Sequence, residues 1–411
     1  MRFFPKSIEQ TLVWGILLQF SILVTFGTTS NRDILFGFLL IYMVFACRNL
    51  GWLKNHYTFM FLCLQYPLIN ILLVSLASVE GEIKPNDAAG FEMWLTSIAC
   101  IVVSTVFFTT GRNSRIFVTY FIPVGVALAF TVGAIQYIGS GHCRVALFNA
   151  NVFAAPLFAT AFAVIRLINF SQQKKSGDAL SYFLIFMSLV LSSVFAGARS
   201  IYLASVVVIF FLALVLLIQN RWKPAVKLVS TFIVALIASI IIESYTGCNF
   251  FLRIGNVLGF LQNSSTAVYF DGLEAIQDVA TGESSMSSRM EMWQRALSLL
   301  EGNYAFGLGA HYEAEVSPGK HPHVHNMYLS WMIWGGVISL ISGLVFLVAP
   351  IIALKTFHMS FQNVSLLTAL PMIWMVSMLF DSFLFWKHHY YFFILISTLF
   401  YSLHSTHNTD R

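Results

Sequence analysis

Twelve apolar runs divide the chain, at about 11–28, 34–47, 57–77, 91–110, 117–138, 146–168, 179–197, 200–219, 226–243, 326–350, 362–380 and 388–404. A helix of roughly 20 apolar residues crosses the hydrocarbon core of a bilayer. The pattern therefore predicts an all-α, polytopic membrane protein with about 12 transmembrane helices. Pro67, Pro123, Pro156 and Pro371 fall inside runs, where neighbouring helices can satisfy the carbonyls that proline frees. The rhythm breaks once. Between the ninth and tenth runs lies a long polar interval holding nine of the 18 acids: Glu243, Asp271, Glu274, Asp278, Glu283, Glu291, Glu301, Glu313 and Glu315. It closes on His321-Pro322-His323-Val324-His325-Asn326 and then turns apolar. The predicted organisation is 1–243 with helices 1–9, 244–325 as one large, partly helical loop domain, and 326–411 with helices 10–12 and a C-terminal tail.

Within the loop, Ser288-Arg289-Met290-Glu291 fits a capping box, in which the serine oxygen takes an orphan amide and the glutamate reaches back. Met290, Trp293, Leu297 and Leu300 then recur at helical spacing, a face expected to lie on the membrane domain. Glu291 and Arg295 make an i,i+4 pair on the other side. The helix is expected to end at Gly302-Asn303, and residues 265–280 to form a second one.

Composition agrees with the pattern. Hydrophobic residues make up 58% of the 411 and charged residues 10%, with a mean hydropathy of +0.77; a soluble core of this size could not hide that much apolar surface. The net charge of +5 comes without basic clusters, so there is no nucleic-acid footprint. The first apolar run shows no small-residue cleavage site and reads as a membrane helix rather than a signal peptide. Lys and Arg set the orientation. With the N-terminus inside, 14 fall in cytoplasmic segments and five in the short outer loops, namely Arg32, Lys84, Arg144, Arg199 and Lys387. That excess puts both termini in the cytoplasm and the long loop outside, which in a Gram-negative cell is the periplasm. The five cysteines show no close pairing motif, although Cys143 and Cys248 could meet in an oxidising compartment.

Three residues are candidates for chemistry. Arg199, in Gly197-Ala198-Arg199-Ser200, stands between two spans with almost no loop around it. Long basic side chains snorkel to the interface, but on the outer side, with no acid nearby in sequence, an arginine is equally a functional candidate. Arg289 falls in the first turn of its predicted helix, where a cation opposes the helix dipole; it is either a solvated loop residue or part of an anion site built from guanidinium and helix amides. His325 opens the tenth run. His321, His323 and His325 alternate like a metal tract, yet no acid or cysteine completes a ligand set. A single histidine acting as a base suits proton transfer near neutral pH. No P-loop or glycine-rich nucleotide motif is present.

With these residues the sequence resembles the O-antigen ligase family, within the superfamily that includes O-antigen polymerases and protein O-oligosaccharyltransferases. Gly197-Ala198-Arg199-Ser200 looks like the family's short arginine motif, Ser288-Arg289-Met290-Glu291-Met292-Trp293 like its loop motif, and His323-Val324-His325-Asn326 like its histidine-asparagine motif. Asp381-Ser382 with Trp386-Lys387 looks like the polar end of the penultimate span. The glycine pattern after the histidine departs, because Gly335-Gly336 is followed by Ser339 rather than G-x-x-G. The resemblance implies transfer of O-antigen from undecaprenyl diphosphate to a sugar hydroxyl of lipid A–core oligosaccharide, at the periplasmic face of the bacterial inner membrane, without metal, ATP or other cofactor. It implies that Arg199 and Arg289 hold the diphosphate and that His325 removes the acceptor proton, with inversion. Modest length and no added C-terminal domain favour ligase over oligosaccharyltransferase; a polymerase would use the same donor. An exporter of lipid-linked glycans remains the alternative from another class, but it should line a central path with charge, and the spans carry almost none.

Overall fold

The computed structural model describes residues 11–19, 34–35, 37–42, 53–77, 85–109, 113–140, 154–172, 179–246, 284–309, 312, 324–355, 365–380 and 387–405. Among these residues there are helices and turns but no strands. The elements that frame the site are α1 (Leu53–Ala77), α2 (Pro85–Thr109), α3 (Asn113–Ile116, continued through Phe117–Phe121 and Ile122–Ser140), α4 (Ala154–Gln172) and α5 (Ala179–Val190, prolonged by Leu191–Phe195). They are followed by α6 (Arg199–Ile218), α7 (Trp222–Thr246), α8 (Ser284–Leu299), α9 (Met327–Lys355), α10 (Ala369–Met378) and α11 (Lys387–Ser405). Each run from 57–77 onward coincides with one of these helices. Six of them, α1, α2, α3, α6, α7 and α9, are long and apolar enough to cross a membrane, which makes this a multi-pass membrane protein. Of the first two runs, residues 11–19, 34–35 and 37–42 are described, and they are helical.

Within the bundle, polar groups are satisfied locally, as an apolar surrounding requires. Ser188, Ser192 and Ser205 each donate to the carbonyl four residues earlier, at 2.7–2.8 Å. The π turn of α3 at Phe117–Phe121 widens the backbone spiral, and Arg166 of α4 answers it. That arginine is 4% exposed and donates through one nitrogen to the carbonyls of Val118 at 2.6 Å and Thr119 at 2.9 Å. An arginine that sequence alone places at a cytoplasmic membrane edge is thus a buried staple between two helices.

Helix α9 is not a single rod. Gly335 and Gly336 leave helical geometry (φ −154°, ψ 24° and φ 64°, ψ −155°). The ring of Trp331 then lies 2.7 Å from where a Cβ on residue 343 would stand, whereas in a straight helix positions 331 and 343 are about 18 Å apart. The segment 327–334 therefore folds back alongside 337–355, and the glycine pair is the elbow. Packing on α1 agrees. Ser342 and Gln65 exchange bonds at 2.9 and 2.8 Å, and Ser339 donates to Asn70 at 2.8 Å, so 337–355 runs antiparallel to α1. Trp331, on the other arm, donates to the Tyr66 hydroxyl at 2.8 Å, close to the level of Gln65 rather than beyond Asn70. The run predicted as one span at 326–350 is a re-entrant arm plus a span. The span, 337–355, is about 28 Å long at 1.5 Å per residue, enough for the hydrocarbon core.

Candidate functional site

The site forms where α10 stops. In the run predicted over 362–380 the apolar helix extends over Ser365–Met378, with α10 as its last part, and the last turn tightens as Leu379 and Phe380 donate to Val376 and Ser377 at 3.3 and 3.2 Å. Carbonyls beyond a helix end lack intrahelical partners and carry the negative end of the dipole. Two groups from elsewhere take them. Arg289 of α8 donates to the Phe380 carbonyl at 2.8 Å, and Asn326 donates from its Nδ2 to the Leu379 carbonyl at 3.3 Å. His325 is the neighbour of Asn326, so one helix end brings Arg289 and the residue next to His325 together, although the two candidates are 36 positions apart.

The histidine turn is tightly specified. Asn326 is the N-cap of α9: its Oδ1 accepts from the amides of Tyr328 at 3.0 Å and Leu329 at 3.2 Å, and its own carbonyl accepts from Ser330 at 3.0 Å. On the other side Val324 is fully buried, and its carbonyl accepts from the Trp293 indole at 3.1 Å. Between them His325 has φ 54°, the left-handed region, which costs a residue with a Cβ about 1–2 kcal/mol. Tyr328 closes the site by donating to the Met375 carbonyl at 2.9 Å.

The elbow of α9 is held by the loop after α8. Helix breaking frees the Ile333 carbonyl and the Val337 amide. The carbonyl accepts from Leu308 at 2.7 Å and Gly309 at 3.1 Å, and the amide donates to Tyr304 at 2.8 Å. Any Cβ on Gly336 would overlap the Ala305 carbonyl, and one on Gly307 would stand 2.6 Å from the Gly336 amide and the Ile333 carbonyl. Gly336→Ala is accordingly expected to lose at least about 1–3 kcal/mol from backbone strain alone. Thermal unfolding of the purified protein in detergent checks this; an unchanged midpoint would contradict the elbow. His325 directly precedes Asn326, the first capping residue of the folded-back arm.

Arg199 is built into the turn between α5 and α6. The π turn Leu191–Phe195 ends α5, Gly197 takes φ 57°, and the Ala198 amide reaches back to the Ser192 carbonyl at 2.8 Å. Ala198 then caps α6 with no side-chain acceptor, leaving half-buried Arg199 as the first residue of the helix. Helix α6 packs along α10, whose end carries the other two groups. The first amides of a helix form an anion-binding cradle, and Arg199 is the first residue of this one.

Two expectations about α8 need correction. The helix begins at Ser284, a full turn before the capping box read from Ser288, because nothing in Ser284-Ser285-Met286-Ser287 stops it. Arg289 is thus in the second turn, and the pairing of arginine with a helix N-terminus belongs to Arg199 instead. The buried face is also rotated. Met292, Ala296 and Leu300 are buried, whereas Met290 (37% exposed) and Leu297 (47%) face outward with Glu291 and Arg295, whose ion pair measures 2.6 Å. The polar ties of Arg289 and Trp293 fix that rotation, and small Ala296 permits close approach. The predicted stop at Gly302 is correct, with φ 83°.

Several expectations lie outside the described residues: the helix over 265–280, His321, His323, the pairing of Cys143 with Cys248, and the Asp381-Ser382 and Trp386 positions. Among the described residues no group of three or more His, Cys, Asp or Glu is placed to hold a metal ion. The roles of Asn326, Trp293 and the glycine elbow were missed from sequence. Asparagine directly before an apolar helical run is an N-cap signal, and paired glycines inside a run signal a break.

A comparison with curated proteins finds no match to the chain. A family model described as O-Antigen ligase matches residues 182–344. This stretch runs from α5 through the elbow of α9 and contains Arg199, Arg289 and His325. The match supports the O-antigen ligase family, in agreement with the resemblance that the three motifs suggest.

Proposed function

We propose that the protein is an O-antigen ligase, transferring O-antigen polysaccharide from undecaprenyl diphosphate to a sugar hydroxyl of lipid A–core oligosaccharide. The observation that carries this is the convergence of Arg289 and of Asn326, the neighbour of His325, on the end of α10 inside the matched region. The acceptor hydroxyl oxygen bonds to the anomeric carbon of the first glycan residue. The bond from that carbon to the diphosphate oxygen breaks, and its electron pair leaves with undecaprenyl diphosphate. His325 takes the hydroxyl proton as the new bond forms, and backside attack inverts the anomeric centre. Arg199 and Arg289 balance charge on the departing diphosphate. Arginine suits this role because its planar fork binds phosphate in bidentate fashion, and its five N–H donors make a carbonyl bond compatible with a phosphate bond. A cation at the start of α6 opposes the helix dipole, an arrangement that becomes favourable once an anion occupies the cradle. The reaction as written needs no metal and no soluble nucleotide.

The excess of cytoplasmic Lys and Arg supports a periplasmic site in the inner membrane. Cysteines introduced by Lys320→Cys and Lys174→Cys test this: an impermeant reagent applied to intact spheroplasts should label position 320, and labelling of 174 alone would invert the topology. The family match supports a ligase or polymerase type of membrane glycosyltransferase equally, so acceptor choice is the discriminating experiment. Purified protein given lipid-linked O-antigen should extend lipid A–core when it is supplied. Lengthening of the lipid-linked chains themselves would make the protein a polymerase.

A further inference from the structure

We propose that Asn326 is a positioning residue for His325, acting by tying the start of the re-entrant arm to the end of α10. The proposal rests on His325 being the base. Three observations lead to it. His325 holds φ 54°, a conformation that a histidine keeps only where its surroundings impose it. Asn326 is 8% exposed and uses both ends of its amide: Oδ1 caps α9 through Tyr328 and Leu329, while Nδ2 donates to the Leu379 carbonyl. That carbonyl is next in sequence to the one held by Arg289. One side chain therefore fixes the backbone just after the base and sets its distance from the arginine that faces the same helix end.

The two functions of the amide can be separated. Serine and aspartate cap helices about as well as asparagine, but an aspartate carboxylate cannot donate to a carbonyl, and serine is too short to cap and reach Leu379 together. Asn326→Ser and Asn326→Asp should therefore fold, insert and bind donor lipid while losing the tie. A misplacement of about 1 Å at a reacting group costs on the order of 10²-fold, so kcat should fall by roughly 10–100-fold with KM for the lipid-linked donor unchanged. Because Asn326 acts only through His325, adding Asn326→Ser to His325→Asn should cause no further loss. A defect that lowered the amount of folded protein would instead scale both backgrounds alike.

The test is a double-mutant cycle on purified protein in detergent, measuring transfer from undecaprenyl diphosphate-linked O-antigen to lipid A–core. A slow His325→Asn enzyme, a slow Asn326→Ser enzyme and a double variant no slower than His325→Asn support the positioning role. Wild-type kcat in both Asn326 variants, or losses that multiply in the double variant, would overturn it and leave the base assignment standing. Wild-type turnover by His325→Asn would remove the base assignment, and the positioning role with it.

Discussion

Replacing His325 with asparagine is expected to slow transfer by roughly 10²–10⁴-fold, the usual worth of a general base. The protein should still insert and bind donor lipid. Asparagine is the informative replacement because it tolerates the left-handed conformation better than other residues with a Cβ, and His325 occupies φ 54°. An alanine variant would mix lost chemistry with a strained turn. Residual activity should be read against pH in the wild-type enzyme. A base must be neutral to accept a proton, so activity should fall as pH falls and the imidazole becomes charged. An imidazolium that merely bound phosphate would lose activity in the opposite direction, as pH rises. His321→Ala and His323→Ala should be much milder, since neither occupies the position that matches the histidine-asparagine motif. Similar damage from all three substitutions, reversed by added metal after chelation, would mark a metal site instead.

The arginines should be nearly as sensitive. Arg199→Ala and Arg289→Ala are each expected to cost about 2–4 kcal/mol of transition-state stabilisation, the scale for losing one oxyanion donor. Lysine at either position keeps the charge but loses the planar fork, so it should also impair transfer. The structure adds a distinction. Arg289 also holds the Phe380 carbonyl, so its loss loosens the end of α10, and a lower melting temperature should accompany the lower rate. Single-turnover kinetics with equal amounts of folded protein separate the two effects. Near-wild-type turnover by a well-folded Arg289→Ala enzyme would reject a diphosphate role for that residue.

Much of this was legible in the sequence because hydrophobic length is a strong signal. Apart from α8, the helices from α1 to α11 follow apolar runs visible in the sequence, and Gly302 marked the end of α8 through ordinary C-cap chemistry. What periodicity could not supply was the rotation of α8 and the break in α9. Met290 and Leu297 have the right spacing for a buried face, yet Arg289 and Trp293 turn that stripe outward because their carbonyl partners, Phe380 and Val324, lie in distant or non-helical segments. The capping box at Ser288 failed for a related reason: a local motif cannot exclude a helix that started one turn earlier. The re-entrant arm was hidden inside a run apolar enough to read as one span. Only the Gly335-Gly336 pair betrayed it, and its meaning depends on the amides and carbonyls of 304–309 filling the gap. The three candidate residues were found because their chemistry is costly near a membrane. Asn326 was passed over because an asparagine beside a histidine looks ordinary until both ends of its amide are placed.

The most direct test of the account is a reconstituted reaction. Purified protein in detergent would be mixed with undecaprenyl diphosphate-linked O-antigen and lipid A–core, without nucleotide, and both lipid products and the new linkage followed. One undecaprenyl diphosphate should be released for each chain joined to the core, with inverted anomeric configuration. Retained configuration, or a donor that stays intact with active, folded protein while the same lipid crosses the bilayer of proteoliposomes, would contradict it.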